Sequence, residues 1–143
     1  MTLREYTNME IKMKDVTKTL ALACLLAFSS PAAVFAAAAD YAFEPVQANV
    51  KNGPKSDVAV RLIHKPSGKP VAGAVIFRTR LDMSPEGMET MTTKIEPLTE
   101  GEAGVYKFRA DFTMEGKWAL KLQAKVQGES DTVEGVVVFT AGQ

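Results

Sequence analysis

The stretch Tyr106-Lys107-Phe108-Arg109-Ala110-Asp111-Phe112-Thr113-Met114-Glu115-Gly116-Lys117-Trp118-Ala119-Leu120-Lys121-Leu122-Gln123-Ala124-Lys125-Val126 decides the fold. Tyr106, Phe108, Ala110, Phe112 and Met114 alternate with Lys107, Arg109, Asp111 and Thr113. Trp118, Leu120, Leu122, Ala124 and Val126 then alternate with Lys117, Ala119, Lys121, Gln123 and Lys125. Successive side chains of an extended chain point to opposite sides, so each run has one dry face and one wet face. Met114-Glu115-Gly116-Lys117 reads as the tight turn between them.

Working outward, shorter runs of the same kind recur, each bounded by Gly, Pro, Asn or Asp. Tyr41–Val50 is the first, closed by Lys51-Asn52-Gly53-Pro54-Lys55. Asp57–His64 follows, with Val58, Val60 and Leu62 in phase, and Lys65-Pro66-Ser67-Gly68-Lys69-Pro70 turns the chain. Gly73–Met83 comes next, then a loop, then a short strand over Met91–Glu96. Thr132–Thr140 is the last. No run has helical spacing. The expected fold is all-β: an immunoglobulin-like antiparallel β-sandwich of about seven strands, without the cysteine staple of antibody domains.

Composition narrows the function. The chain has 143 residues, with 17 Lys+Arg against 17 Asp+Glu, 46% hydrophobic and 24% charged. That balance suits one globular domain and disfavours nucleic-acid binding, which draws on a basic surplus. One Cys excludes a disulfide framework and a Cys-based zinc site within the chain. One His excludes an all-His metal centre and disfavours a His-dependent triad. Phosphate-binding glycine loops, nucleophile elbows and calcium-loop spacings are absent, so the chain reads as a non-enzyme.

The first forty residues read as an address. Lys12, Lys14 and Lys18 precede the apolar run Leu20–Phe28, and Ser29-Ser30-Pro31 and an Ala-rich stretch follow. This is the order of a secretory signal peptide over residues 1–38, cleaved near Ala36 to Ala39, with the domain at 39–143. Cys24 then belongs to the discarded apolar core. The expected location is periplasmic or secreted. The alternative is an inner-membrane anchor, if Leu20–Ala39 stays uncleaved.

Methionine is the residue type that carries chemistry here. Met83, Met88 and Met91 fall within Asp82–Met91, and Met114 opens the later turn. Thioether sulfur is soft, uncharged and needs no deprotonation, so a methionine cluster selects Cu(I) or Ag(I) over Zn or Mg. If consecutive strands run antiparallel, Asn52, Met83–Met91 and Met114–Lys117 share one end of the sandwich. Trp118 opens a strand there, and an indole face beside a monovalent cation is favourable. The same parity puts His64 at the opposite end. Packing is the competing explanation: Met83 and Met114 continue the inward phase of their strands, and Met fills gaps well. Glu86, Glu89, Glu96, Glu100 and Glu102 read as solvated surface, and Arg78 and Arg80 as cross-strand ion-pair partners.

Asp82-Met83-Ser84-Pro85-Glu86-Gly87-Met88 with Met91, together with Gly104-Val105-Tyr106 and Phe112-Thr113-Met114-Glu115-Gly116-Lys117-Trp118, resembles the YtkA-like/FixH-like family of secreted β-sandwich domains. The resemblance covers about residues 41–140. Lys125-Val126-Gln127-Gly128-Glu129 is similar to members found beside, or fused to, periplasmic adaptors of heavy-metal efflux pumps. Members often carry a His in the methionine loop; this chain has none there, which leaves Cu(I)/Ag(I). FixH proteins proper are membrane-anchored and tied to oxidase copper supply.

Two functions are therefore open. In the first, the domain binds Cu(I)/Ag(I) through Met83, Met88, Met91 and Met114, with Trp118 as neighbour, and serves an efflux adaptor or a copper-receiving protein. In the second, it is a structural or adaptor domain whose loop end docks a partner protein without metal.

Overall fold

The structure, a computed structural model, describes residues 38–99 and 101–143; the leader read over 1–38 lies, but for Ala38, outside them. The two alternating runs quoted first are strands β8 (Val105–Phe112) and β9 (Gly116–Lys125). Around them stand β1 (Tyr41–Pro45), β2 (Asn49–Lys51), β3 (Gly53–His64), β4 (Lys69–Pro70), β5 (Val75–Met83), β6 (Met88–Thr93), β7 (Ile95–Pro97) and β10 (Thr132–Gly142). One sheet runs β1-β3-β8-β7, with β4 also on β3; the other runs β2-β10-β9-β5-β6. All pairs are antiparallel except β2 with β10, which is parallel. The fold is an all-β sandwich.

The dry faces meet between the sheets. Val58, Val60, Leu62, Phe108 and Phe112 come from the first sheet and Leu81, Trp118, Leu120, Leu122, Val133, Val137 and Phe139 from the second. Burying large apolar side chains of this kind stabilises by roughly 1.5–3 kcal/mol each. Phe43 crosses the gap so closely that a Cβ on Gly135 would lie 2.5 Å from its ring. Tyr106 keeps its hydroxyl satisfied by donating to the Val71 carbonyl (2.8 Å) and accepting the Ala74 N–H (2.9 Å). One phenol thereby ties down the β4–β5 connection.

Among the described residues ten strands replace the expected seven: two expected strands each split in two, and the stretch read as the Lys65–Pro70 turn ends in the short β4, paired with β3. The run read as one strand over Tyr41–Val50 leaves β3 after Pro45 and joins β10 as β2, changing sheets. The run Met91–Glu96 breaks at Lys94: β6 pairs with β5 in the second sheet, and β7 pairs with β8 in the first. Each chain segment thus closes one open flank of the sandwich. Open strand edges invite pairing with other chains, and such crossings shorten them. The stretch read as a turn over Lys51–Lys55 largely belongs to β3, whose register shifts between Gly53 and Ser56 and leaves Lys55 at a left-handed φ of 53°.

Candidate functional site

The loop expected over Asp82–Met91 is much tighter than its length suggests. β5 continues through Met83, a single 3-10 turn occupies Ser84–Glu86, and β6 begins at Met88. Its chemistry is local. Asp82 accepts the Ser84 N–H through Oδ1 (3.1 Å), Pro85 supplies a preset φ, and Gly87 takes the left-handed conformation (φ 73°) while its N–H returns to the Ser84 carbonyl (3.0 Å). Met88 is thereby delivered opposite Met83 in the β5–β6 ladder. Thr90, Thr92 and Thr93 then favour extended chain, which makes Met91 a strand residue.

This turn and the β8–β9 turn meet at one end of the sandwich. The Met83 terminal methyl lies 3.2 Å from where a Cβ on Gly116 would stand, and Glu86 Oε1 lies 3.3 Å from it. Gly116 holds φ 124°, a conformation that side-chain-bearing residues avoid. Glu86 also accepts the Lys117 backbone N–H at 2.9 Å, which fastens the two turns together. Ala141 pairs with Gly116, and the Asn52 N–H donates to the Gly142 carbonyl (2.8 Å), so Asn52 is at the same end. Its side-chain Oδ1 is buried without a hydrogen-bond partner among the described residues.

The candidate ligands divide by burial. Met83 is sealed at 1% exposure and belongs to the core cluster; Met88 is half-buried and packs against that cluster. Met114 and Met91 are exposed at 41% and 38%. Met83, Met88 and the turn bearing Met114 come together; Met91 sits in the β6 bulge between Met88, opposite Met83, and Thr92, opposite Asp82. Trp118 is fully buried: its ring stands edge-on to Phe112 at 5.9 Å, and its N–H donates to the Met114 carbonyl at 3.1 Å. The indole therefore anchors the turn from below. His64 lies at the far end of β3, paired with Tyr41 and bonded through Nδ1 to Ser67 Oγ (2.8 Å). Among the described residues, no group of three or more His, Cys, Asp or Glu side chains is placed to hold a metal, and no helix is long and apolar enough to cross a membrane.

One charged group escaped the sequence reading. Asp82 faces the outer side of the second sheet yet is fully shielded from solvent. Arg80 Nε (2.8 Å) and Lys121 Nζ (2.9 Å) both bind its Oδ2, and Arg80 Nη2 also reaches the Glu89 carbonyl (2.9 Å). Burial alone would push the Asp82 carboxyl up. Hydrogen bonds from Ser84, Arg80 and Lys121 outweigh that and hold it well below the usual carboxylate range. A signal was present: Arg78, Arg80 and Asp82 share one strand phase. Lys121 joins them only through the β5–β9 register, which pairs it with Arg80.

The class of protein is thus a small antiparallel-rich β-sandwich domain with thioether side chains gathered at one end. The sequence profile of the family described as YtkA-like matches residues 35–123. The chain belongs to the YtkA-like family. No curated protein matches its sequence. Among solved structures, the C-terminal domain of ZirS is similar with a TM-score of 0.43 at 10% identity, over 81% of this chain and 75% of that one. FdeC, an Escherichia coli adhesin, gives 0.39 at 18% identity, over 73% of this chain and 31% of that one.

Proposed function

We propose that this domain is an exported, periplasmic, non-enzymatic carrier of Cu(I) or Ag(I), with Met83, Met88, Met91 and Met114 as its thioether donors. It would pass metal to, or accept it from, an efflux adaptor or a copper-receiving protein. The observation that supports this most is the packing of the Met83 methyl against Gly116. The sulfur is one bond from that methyl, so a buried thioether reaches the turn that bears Met114, with Met88 opposite it in the ladder. A dry thioether beside a glycine backbone offers a soft cation a site from which water is largely excluded. Neutral sulfur donors keep their lone pairs at acid pH, where imidazole would be protonated.

Anaerobic titration with Cu(I) against a chelating competitor tests the reading. One equivalent should bind, and a variant with Met88→Leu and Met91→Leu should bind at least tenfold more weakly. Equal affinity in that variant overturns it. The adaptor reading draws on the exposure of Met91 and Met114, two flexible apolar side chains open to solvent at the same end. It gains if the Leu variant keeps its partner while wild type takes up no metal.

A further inference from the structure

The two outer faces of the sandwich carry charge differently. On the first sheet cations meet acids: Arg109 binds Asp57 through two bonds of 2.7 and 3.0 Å, and Lys94 pairs with Glu96. On the second sheet the outward positions of β5 and β9 include Arg78, Arg80, Lys117, Lys121 and Lys125, while the acids of that face on β5, β9 and β10 are Asp82 and Glu134. Asp82 is taken up by Arg80 and Lys121, and Glu134 accepts from the Gln123 amide at 2.7 Å. Arg78 has neither an acid nor a hydrogen-bond partner among the described residues.

An open groove of about 310 Å³ lies along this face, lined by Arg78, Arg80, Lys121, Gln123, Glu134 and Val136 among others. Val136 is 59% exposed and Val138, the next outward residue of β10, 42%. Single exposed valines are ordinary; here Val136 shares the groove with the unpaired Arg78 guanidinium and Val138 extends the apolar strip one row further along β10, which makes a mixed apolar and cationic surface. A second copy of the chain suits it less well, because each copy brings more cations than acids to this face. A flat anionic bilayer does not suit it either, since these cations line a groove rather than a flat surface.

We infer that the outer face of the second sheet docks an acidic segment of a partner protein. Arg78 receives a carboxylate of that segment in bidentate fashion, and Val136 and Val138 take its apolar neighbours. This surface is separate from the methionine end, so its test stands apart from the metal reading.

The probe is a capped synthetic octapeptide alternating glutamate and leucine, titrated into the ¹⁵N-labelled protein and followed by amide shifts. Shifts should cluster at Arg78, Lys121, Val136 and Val138, and should weaken with added salt. Arg78→Glu should lower affinity about tenfold or more, Arg78→Lys much less, and a lysine–leucine peptide should not bind. Arg78 is exposed and unpaired, so unchanged thermal melting confirms that the variant folds; Val136→Lys gives a second, independent loss. Equal binding by Arg78→Glu, or shifts centred elsewhere, overturns the inference. So does equal occupancy by acetate alone, preference for phosphatidylglycerol vesicles, or a dimer that Arg78→Glu dissolves.

Discussion

Glu86 and Lys117, thirty-one positions apart, are joined by a 2.9 Å hydrogen bond from the Lys117 backbone N–H to the Glu86 carboxylate. That bond fastens the Ser84–Glu86 turn to the start of β9 and holds the Met83 and Met114 connections side by side. Glu86→Ala should lower stability by about 1 kcal/mol, the usual net worth of such a bond. It should weaken Cu(I) binding more than its effect on melting suggests, because the two turns lose their common anchor. Chemical denaturation and competition titration of the same variant check both parts.

Asp82 sets the behaviour at low pH. Its native carboxyl titrates below the unfolded value of about 3.9. The stabilisation it gives is therefore fully present above that value and is lost as pH falls through the native one. Asp82→Asn should cost about 1–3 kcal/mol at neutral pH, since Ser84, Arg80 and Lys121 lose an ionised acceptor. The gap between variant and wild-type melting temperatures should narrow as pH is lowered from about 7 to about 3. A gap that stays constant would show that the charge contributes nothing.

Gly135 is required for its absence of a side chain. Its φ is unexceptional, but a Cβ there would stand 2.5 Å from Phe43 Cδ2 and 3.3 Å from Cγ. An aromatic ring wedged between sheets has little room to yield. Gly135→Ala should cost about 1–3 kcal/mol, and Phe43→Leu in the same chain should recover part of the loss. A double-mutant cycle from urea denaturation measures this directly.

The Tyr106 hydroxyl bonds both ends of the β4–β5 connection. Tyr106→Phe removes an acceptor from the Ala74 N–H and a donor from the Val71 carbonyl. The loss should be about 1–3 kcal/mol, with faster amide exchange at Ala74 as its local sign.

The strands with strict alternation were legible from sequence because their phase needs no partner: Trp118, Leu120 and Leu122 are inward whatever they pair with. What escaped was where a strand changes sheets. Pro45–Asn49 and Lys94 look continuous with their neighbours, and only the opposing edges of two sheets give the chain a reason to cross there. The site divides along the same line. The meeting of the Asp82–Met91 and Met114–Lys117 connections at one end could be placed from strand parity. The burial of their methionines could not, because Met83 and Met114 share an inward phase, yet one ends inside a sheet and the other in a turn beyond it. Glu86 reads in sequence as one more solvated acid, and only the spatial approach of Gly116 and Lys117 gives it a role. Lys121 likewise needs the β5–β9 register before it meets Asp82.

X-ray absorption at the copper edge of the anaerobically loaded protein tests the metal reading most directly. A first shell made of sulfur, reduced in number when Met88 and Met91 are replaced by Leu, is expected. A shell of oxygen and nitrogen only, or one untouched by those replacements, would contradict it.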